Sequence, residues 1–220
     1  TMHLRRSAVR LFFRLARELN LHDGDPTLDV KLPPRSSLGL RPLIDDEVAL
    51  CRSCSFRSLS DTVHPAAWAL AEIGARTSEI PCIELGDFDS PSGRIWLHGS
   101  NKAHPRWADL TPWGLEQIRR RAAVVEKQDL KTLAYRGTGA THSAQPAACA
   151  AVAATLRRAG LHSEADVRPG SVVAWAGLQV FNRTRCIGET ARALGLRSLD
   201  GAARMIGWQW NDPYVQPTDG

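Results

Sequence analysis

The stretch WALAEIGARTSEIPCIELGDFD, from Trp68 to Asp89, joins an apolar helical segment to a strand-like run. A Gly-Ala turn at the junction is followed by Arg76 and, three residues later, by Glu79. An arginine at the mouth of such a junction is well placed to bind an anion, and a glutamate one helical turn on is placed to hold its guanidinium. A surface ion pair is the alternative interpretation of the same two residues.

The size and hydropathy of the chain bound its class. Its 220 residues are enough for one ordinary domain with an appendage, or for two small domains. No apolar run approaches the roughly 20 residues that a membrane span needs, and no segment has the pattern of a signal peptide. The sequence therefore predicts a cytoplasmic protein with no membrane partner.

The charge balance favours a polyanionic partner. The formal net charge is +5, the sequence pI is near 9.2, and the arginines cluster in LRRSAVRLFFRLAR, IRRRAA and TLRRAG. On the first helix, Arg5, Arg6, Arg10 and Arg14 lie opposite the apolar positions and are placed to meet phosphates, with a solvated helix face as the alternative. For Arg119 to Arg121 we favour the solvated face.

The cysteines point to neither disulfides nor a metal. There are five, an odd number, and only Cys51 and Cys54 form a CxxC pair, while the other three are solitary. A structural zinc site needs a second closely spaced pair, so we interpret Cys51 and Cys54 as part of an apolar helix face. No Gly-rich phosphate loop, HExxH or GxSxG motif is present, and the sequence predicts no metal and no small-molecule cofactor.

Hydrophobic periodicity predicts a mostly helical α+β chain with a small antiparallel sheet. A basic helix is followed by an extended Pro- and Ser-rich linker and a second helical region in which Asp45 or Asp46 is the expected N-cap. The predicted helices cover residues 4–20, 45–54, 61–75, 111–128, 144–159, 169–181, 184–194 and 198–206. Three strands are predicted at residues 80–85, 93–99 and 105–110, with GDFDSPSG as a turn between the first two.

This order of elements resembles the tyrosine recombinase, or phage integrase, family over nearly the whole chain. RPLIDDEVALC resembles the opening of the family's catalytic domain, and EIGARTSEIPCIELGDFD resembles its first-arginine box. GRIWLHGSNKAHPRWADLTPWGLEQI resembles its lysine-bearing hairpin and the next helix. The resemblance implies a last core-binding helix at residues 1–24, an interdomain linker at 25–41 and a catalytic-like domain at 42–220. The given residues match only the last helix of the core-binding clamp, so a piece of a longer natural or engineered chain is one expectation, which the sequence leaves open.

The resemblance also implies roles for particular residues. In this family a tyrosine attacks a DNA phosphodiester without metal, and basic side chains stabilise the transition state. By motif, Arg76 would clasp the scissile phosphate, Glu79 would support Arg76, and Lys102 would act as general acid. Trp208 takes the family's histidine-or-tryptophan position, and Tyr214 is the only tyrosine near the nucleophile position. The implied partner is double-stranded DNA, bound by a homo-oligomer in a mobile-element context.

The second half of the family pattern is altered. In VRPGSVVAWAGLQVF the histidine position falls on Gly170 and the second-arginine position on Val173, and neither side chain carries charge or donates a hydrogen bond. Tyr214 follows Trp208 by six residues, closer than is usual for the family, and lies directly after Pro213.

The sequence therefore leaves three functions open. We favour a DNA-binding protein of recombinase type that is catalytically impaired or inactive. The first alternative is an active recombinase in which Arg168 or Arg183 replaces the second arginine and Tyr214 forms a 3'-phosphotyrosyl link. The second is a protein-interaction module without a DNA role. The turn residues His98 and His104, which flank Lys102, are expected to be polar residues of the hairpin.

Overall fold

The computed structural model of the chain describes residues 2–27, 39–135 and 141–208, with side chains described for 8–27, 39–135 and 144–208. The chain divides into two compact units, Thr1–Gly39 and Leu40–Gly220. The assignment of residues 1–24 to a core-binding domain and of 25–41 to a linker stays a prediction.

The first unit is built on helix α1, Met2–Glu18, close to the predicted bounds. The helix ends where Asn20 adopts a left-handed φ of 54°. Within this unit the apolar side chains of Phe12 and Leu19 are 64% and 67% exposed, and Ala16 is buried. The predicted helix is therefore confirmed, while most of the described apolar positions on it are exposed.

The described part of the second unit contains seven α-helices around one hydrophobic core, which confirms the predicted mostly helical α+β fold. Their bounds are Asp45–Cys54 (α2), Val63–Glu72 (α3), Pro112–Lys127 (α4), Thr141–Arg158 (α5), Gly170–Thr184 (α6), Ile187–Ala193 (α7) and Leu199–Ile206 (α8). Thr111 caps α4 by accepting from the Gly114 N–H, and Ser198 caps α8 by accepting from the Gly201 N–H. Both are N-cap residues of the type that stabilises a first helical turn.

Helix α3 is the centre of this unit. Every residue from Pro65 to Glu72 is buried, and the helix packs against α4, α5 and α6. Its single carboxylate, Glu72, accepts from Trp68 Nε1 at 2.7 Å and from two nitrogens of Arg52 at 2.9 Å. Because a buried charge is tolerated only when it is paired and hydrogen-bonded, these contacts fix α2 against α3 at a defined rotation.

The sheet has three antiparallel strands in the order β1-β2-β3, as predicted. They are Phe88–Asp89 (β1), Arg94–Leu97 (β2) and Arg106–Asp109 (β3). Ile95 and Leu97 face the core, and Trp96 lies opposite Trp107 on the outer face with ring centroids 5.4 Å apart. The strand period of two therefore places β2 correctly.

The first predicted strand, residues 80–85, is wrong. Ile80–Cys82 and Leu85–Asp87 are single turns of 3-10 helix, and β1 lies in the segment predicted as a turn. Ile80, Pro81 and Ile83 are buried while Cys82 and Glu84 are exposed, so the burial does not follow a strict alternation from Ile80 onward. Its extended part bonds instead to residues 131–133, with Leu85 N–H donating to the Lys131 carbonyl and Leu133 N–H to that of Ile83.

Two further predictions are corrected. Ile44 is the N-cap of α2, whereas the Asp45 carboxylate accepts from Trp175 Nε1 and Gln179 Nε2 on α6. Arg121 is 1% exposed and donates from Nε to the Leu133 carbonyl, so it does not belong to a solvated face. It lies on the inner face of α4 because helical spacing puts position 121 on the same side as the buried positions 118 and 125.

The described residues contain no helix that is long and apolar enough to cross a membrane. They also contain no group of three metal-ligating side chains. Cys51 is fully buried in the core, where burial raises the pKa of its thiol to about 12.

Candidate anion-binding site

The turn after α3 holds Arg76 by its backbone. Gly74 takes a left-handed φ of 84°, which reverses the chain at the helix end. The Arg76 carbonyl then accepts from the N–H groups of Glu79 and Ile80 at 2.8 and 3.0 Å. The Arg76 N–H donates to Glu79 Oε2 at 2.9 Å. Both backbone polar groups of Arg76 are thus hydrogen-bonded without involving its side chain.

The Arg76 guanidinium is a half-buried cation with unused donors. Its Nε and Nη2 atoms are shielded from solvent and have no hydrogen-bond partner among the described residues. Burial lowers its pKa, Glu79 acts in the opposite direction, and the nearby positive charge of Arg106 lowers it further. Because an arginine stays charged at neutral pH, the side chain presents two desolvated donors that an anion would satisfy.

Glu79 does not support Arg76 in the way the sequence suggested. Its carboxylate is 1% exposed and is bound by the guanidinium of Arg106, with Nη1 to Oε1 at 2.8 Å and Nη2 to Oε2 at 3.2 Å. Among the hydrogen bonds of the described residues, the Glu79 carboxylate contacts Arg76 at its backbone N–H and not at its guanidinium. Glu79 therefore fixes the turn, while its charge is neutralised by a third residue.

That third residue, Arg106, was missed by the sequence analysis. It lies at the start of β3, is 8% exposed, and also donates to the carbonyls of Gly74, His104 and Ala193 at 2.8 to 3.1 Å. A signal was available: in the alternating pattern of PRWADL, Arg106 takes a core-facing position. An arginine on the buried face of a strand requires a carboxylate partner.

Lys102 is at the tip of the β2–β3 hairpin, as the sequence predicted. Its side chain is exposed, and its N–H donates to Ser100 Oγ inside a turn closed by paired bonds between Ser100 and Ala103. His98 pairs with Asp87 at 2.8 Å, and His104 donates its backbone N–H to the Gly195 carbonyl. Arg76 and Lys102 are thus linked through Arg106 and its strand, and no contact between their side chains is found in the described residues.

The positions of the altered second box are apolar or small. Gly170 is the first residue of α6, where an added Cβ would lie 3.0 Å from Leu40 Cδ1. Val173 is 4% exposed and belongs to the hydrophobic core. Arg168 and Arg183 are both exposed and lie at opposite ends of α6, about 20 Å apart at 1.5 Å per residue. A helix of this length does not bring the two candidate replacements to one point.

The other candidate residues with described side chains lie in α1 or directly after α8. Trp208 follows α8, donates its backbone N–H to the Ala203 carbonyl and contacts the ring of Phe181 at 5.6 Å. Arg10 donates to the Thr27 carbonyl, and Arg14 is exposed on α1. Tyr214 and the side chains of Arg5 and Arg6 lie outside the described residues.

Comparison with solved structures identifies the fold. The XerA recombinase matches with a TM-score of 0.64 and 14% identity, over 95% of this chain and 73% of that one. A lambda integrase dimer bound to a COC' core site matches with a TM-score of 0.63 and 16% identity, over 97% and 61% of the two chains. The integrase from mycobacterium phage Brujita matches with a TM-score of 0.55 and 14% identity, over 93% and 70%.

No family model and no curated protein sequence matches this chain. The likeness is therefore one of architecture, and the chain has the fold of the tyrosine recombinases and integrases, as the sequence predicted.

Proposed function

We propose that this chain binds double-stranded DNA through backbone phosphates, with the guanidinium of Arg76 as the central phosphate ligand. The observation that carries the proposal is the pair of desolvated, unpartnered donors on Arg76. In protein–DNA complexes most hydrogen bonds go to phosphate and sugar, and arginine meets two phosphate oxygens with a planar pair of N–H groups. The net charge of +5 agrees with a polyanionic partner.

Lys102 extends the same surface. Its exposed ammonium stands at the tip of a hairpin whose second strand begins with Arg106, so the hairpin and the Arg76 turn are held by one buried ion pair. A lysine presented this way acts as a point charge toward a phosphate. Arg10 and Arg14 on α1, together with Arg5 and Arg6, are proposed as additional phosphate contacts.

The proposed DNA binder is impaired in catalysis. Gly170 and Val173 cannot supply the two donors expected at their positions, and Val173 is committed to the core. Removing one preorganised charge-stabilising donor costs on the order of 10² to 10³ in rate, and losing two costs more, although such losses are not additive. Strand exchange by this chain alone would then be too slow to matter, and an accessory or regulatory role at a mobile element in the cytoplasm, as a homo-oligomer on DNA, is the function we favour.

Two alternative functions give different results. An active recombinase would use Tyr214 as nucleophile and Arg168 or Arg183 in place of the second arginine. The observation in its favour is that both arginines are exposed and so accessible to a ligand. A protein-interaction module would have no salt-sensitive DNA affinity.

The test is retention of random-sequence duplex DNA through a salt series, with a parallel sample boiled in detergent to reveal covalent adducts. Salt-eluted DNA without adducts supports the proposal, provided that Arg76→Ala weakens retention and the matched change Arg119→Ala, at an exposed arginine of α4, does not. Adducts that disappear in Tyr214→Phe would identify an active recombinase. No retention at low salt would leave the protein-interaction role.

A further inference from the structure

The buried carboxylate of Glu79 has two arginines beside it. Arg106 donates to both carboxylate oxygens, and the Arg76 backbone N–H donates a further hydrogen bond to Oε2. The Arg76 guanidinium, which is close enough for Glu79 and Arg106 to alter its pKa, keeps Nε and Nη2 unpaired. The Glu79 carboxylate thus has two guanidinium groups beside it, and it forms its ion pair with that of Arg106 alone.

We propose that Arg106 is a positioning residue that occupies Glu79 and so keeps the Arg76 guanidinium available for a DNA phosphate. This inference rests on the proposed function of Arg76. Arg106 itself is 8% exposed, and its guanidinium donates hydrogen bonds to Glu79 and to three backbone carbonyls. Arg106 is therefore not a DNA contact in this proposal.

The reason is competition for a buried charge. A carboxylate without a partner in the protein interior is strongly destabilising, so Glu79 takes a cation whenever one is in reach. When Arg106 is absent, Arg76 is a cation close enough to Glu79 to take its place, since its backbone N–H already lies 2.9 Å from Oε2. An Arg76 side chain paired with Glu79 would have fewer donors for a phosphate and no net positive charge to offer.

The surrounding backbone is arranged to hold Arg106 in this place. Gly195 has a φ of 62°, and an added Cβ there would lie 2.6 Å from Arg106 Nη1. The carbonyl of Ala193, at the end of α7, accepts from Arg106 Nε, and that of Gly74, at the end of α3, accepts from Nη2. Arg106 is therefore fixed from two helix ends as well as by Glu79.

The experiment measures the salt dependence of binding to a random-sequence duplex, because each phosphate contact contributes about 0.9 to the slope of log affinity against log salt. Arg76→Ala is expected to reduce the magnitude of this slope by about 0.9, the contribution of one phosphate contact. Arg106→Gln is expected to reduce it by the same amount, although Arg106 is buried. The double variant Glu79→Gln/Arg106→Gln is expected to regain the slope, because no carboxylate remains to capture Arg76.

The outcomes separate the two proposals. If Arg76→Ala leaves the slope unchanged, the proposed function of Arg76 fails. If Arg76→Ala lowers the slope while folded Arg106→Gln keeps it, or if the double variant folds without regaining it, only the role of Arg106 is overturned. If Arg106→Gln does not fold, Arg106→Lys is the deciding variant. A lysine keeps a cation beside Glu79, so Arg106→Lys is expected to keep the slope. A folded Arg106→Lys protein whose slope falls in magnitude by one full contact would contradict the proposal.

Discussion

Arg106 and Gly195 lie so close that no side chain fits between them: a Cβ built on Gly195 would be 2.6 Å from Arg106 Nη1 and 2.8 Å from the His104 carbonyl oxygen. Gly195 lies just beyond the end of α7 and accepts the His104 N–H, so the turn after α7 closes over the start of β3. The absence of a side chain at position 195 is thus a condition for the buried Arg106–Glu79 pair.

Gly195→Ala is expected to lower the free energy of unfolding by about 2 to 5 kcal/mol, because left-handed backbone strain adds to a contact that cannot be relieved without moving Arg106. The measurement is urea denaturation. Gly160→Ala is the matched control, since Gly160 has a φ of 77° and nothing within 4 Å of an added Cβ. That control is expected to cost only the strain, about 1 to 2 kcal/mol. Equal costs at the two positions would contradict the steric account.

The site could be predicted from the sequence only where its contacts are local. Arg76 and Glu79 are three residues apart, so their proximity follows from spacing. Arg106 is 27 residues from Glu79, and nothing local indicates which carboxylate it meets. The sequence therefore predicted that Glu79 pairs with Arg76, whereas in the fold its carboxylate pairs with Arg106 on β3.

The fold shows the same division. The α-helices in the described part of the second unit were predicted to within a few residues. Helices α3 and α6 are buried all round over Pro65–Glu72 and Ser171–Gly177, so the length of their apolar segments, and not an amphipathic period, indicates a helix. Residues 80–85 were predicted wrongly as a strand because their mixture of buried residues (Ile80, Pro81, Ile83) and exposed residues (Cys82, Glu84) fits a short strand as well as single 3-10 turns. Ile83 and Glu84 are the extended residues of this run, and the segment pairs there with residues 131–133, a long-range contact that no local pattern predicts.

Lys102→Ala is expected to weaken DNA binding by a similar factor on all DNA sequences. It is also expected to reduce the magnitude of the slope of log affinity against log salt by about 0.9, the contribution of one phosphate contact. Its side chain is exposed at the hairpin tip, so the free energy of unfolding is expected to change by less than about 0.5 kcal/mol. Filter binding at several salt concentrations and urea denaturation measure the two quantities. An unchanged slope in the folded variant would remove Lys102 from the interface.

Val173→Arg tests whether the second arginine of the family pattern can simply be restored. Because Val173 is 4% exposed within the core, an arginine there would be buried without a carboxylate, and a cost of about 3 kcal/mol or more is expected. Asn182→Arg, at an exposed position of the same helix, is expected to stay within about 0.5 kcal/mol of the parent. A Val173→Arg protein as stable as the parent would show that the helix can turn this position toward a charged partner.

Glu47→Gln is expected to make stability less dependent on pH in the acid range. Glu47 accepts two bonds from Arg41, at 2.6 and 2.8 Å, and these hold the pKa of its carboxyl below the ordinary 4.5 despite the opposing effect of partial burial. A carboxyl whose pKa is lower in the folded state stabilises the fold above its unfolded pKa, and this contribution is lost as pH falls through the folded value.

The parent is therefore expected to exceed Glu47→Gln in unfolding free energy by about 1 kcal/mol at pH 7, with a smaller difference at pH 3. Denaturation at both pH values measures it. Glu189→Gln is the control, because the Glu189–Arg192 pair is far more exposed and its loss is expected to cost less than about 0.5 kcal/mol at neutral pH. A parent that keeps the same advantage over Glu47→Gln at pH 3 as at pH 7 would show that the contribution of Glu47 does not depend on its charge.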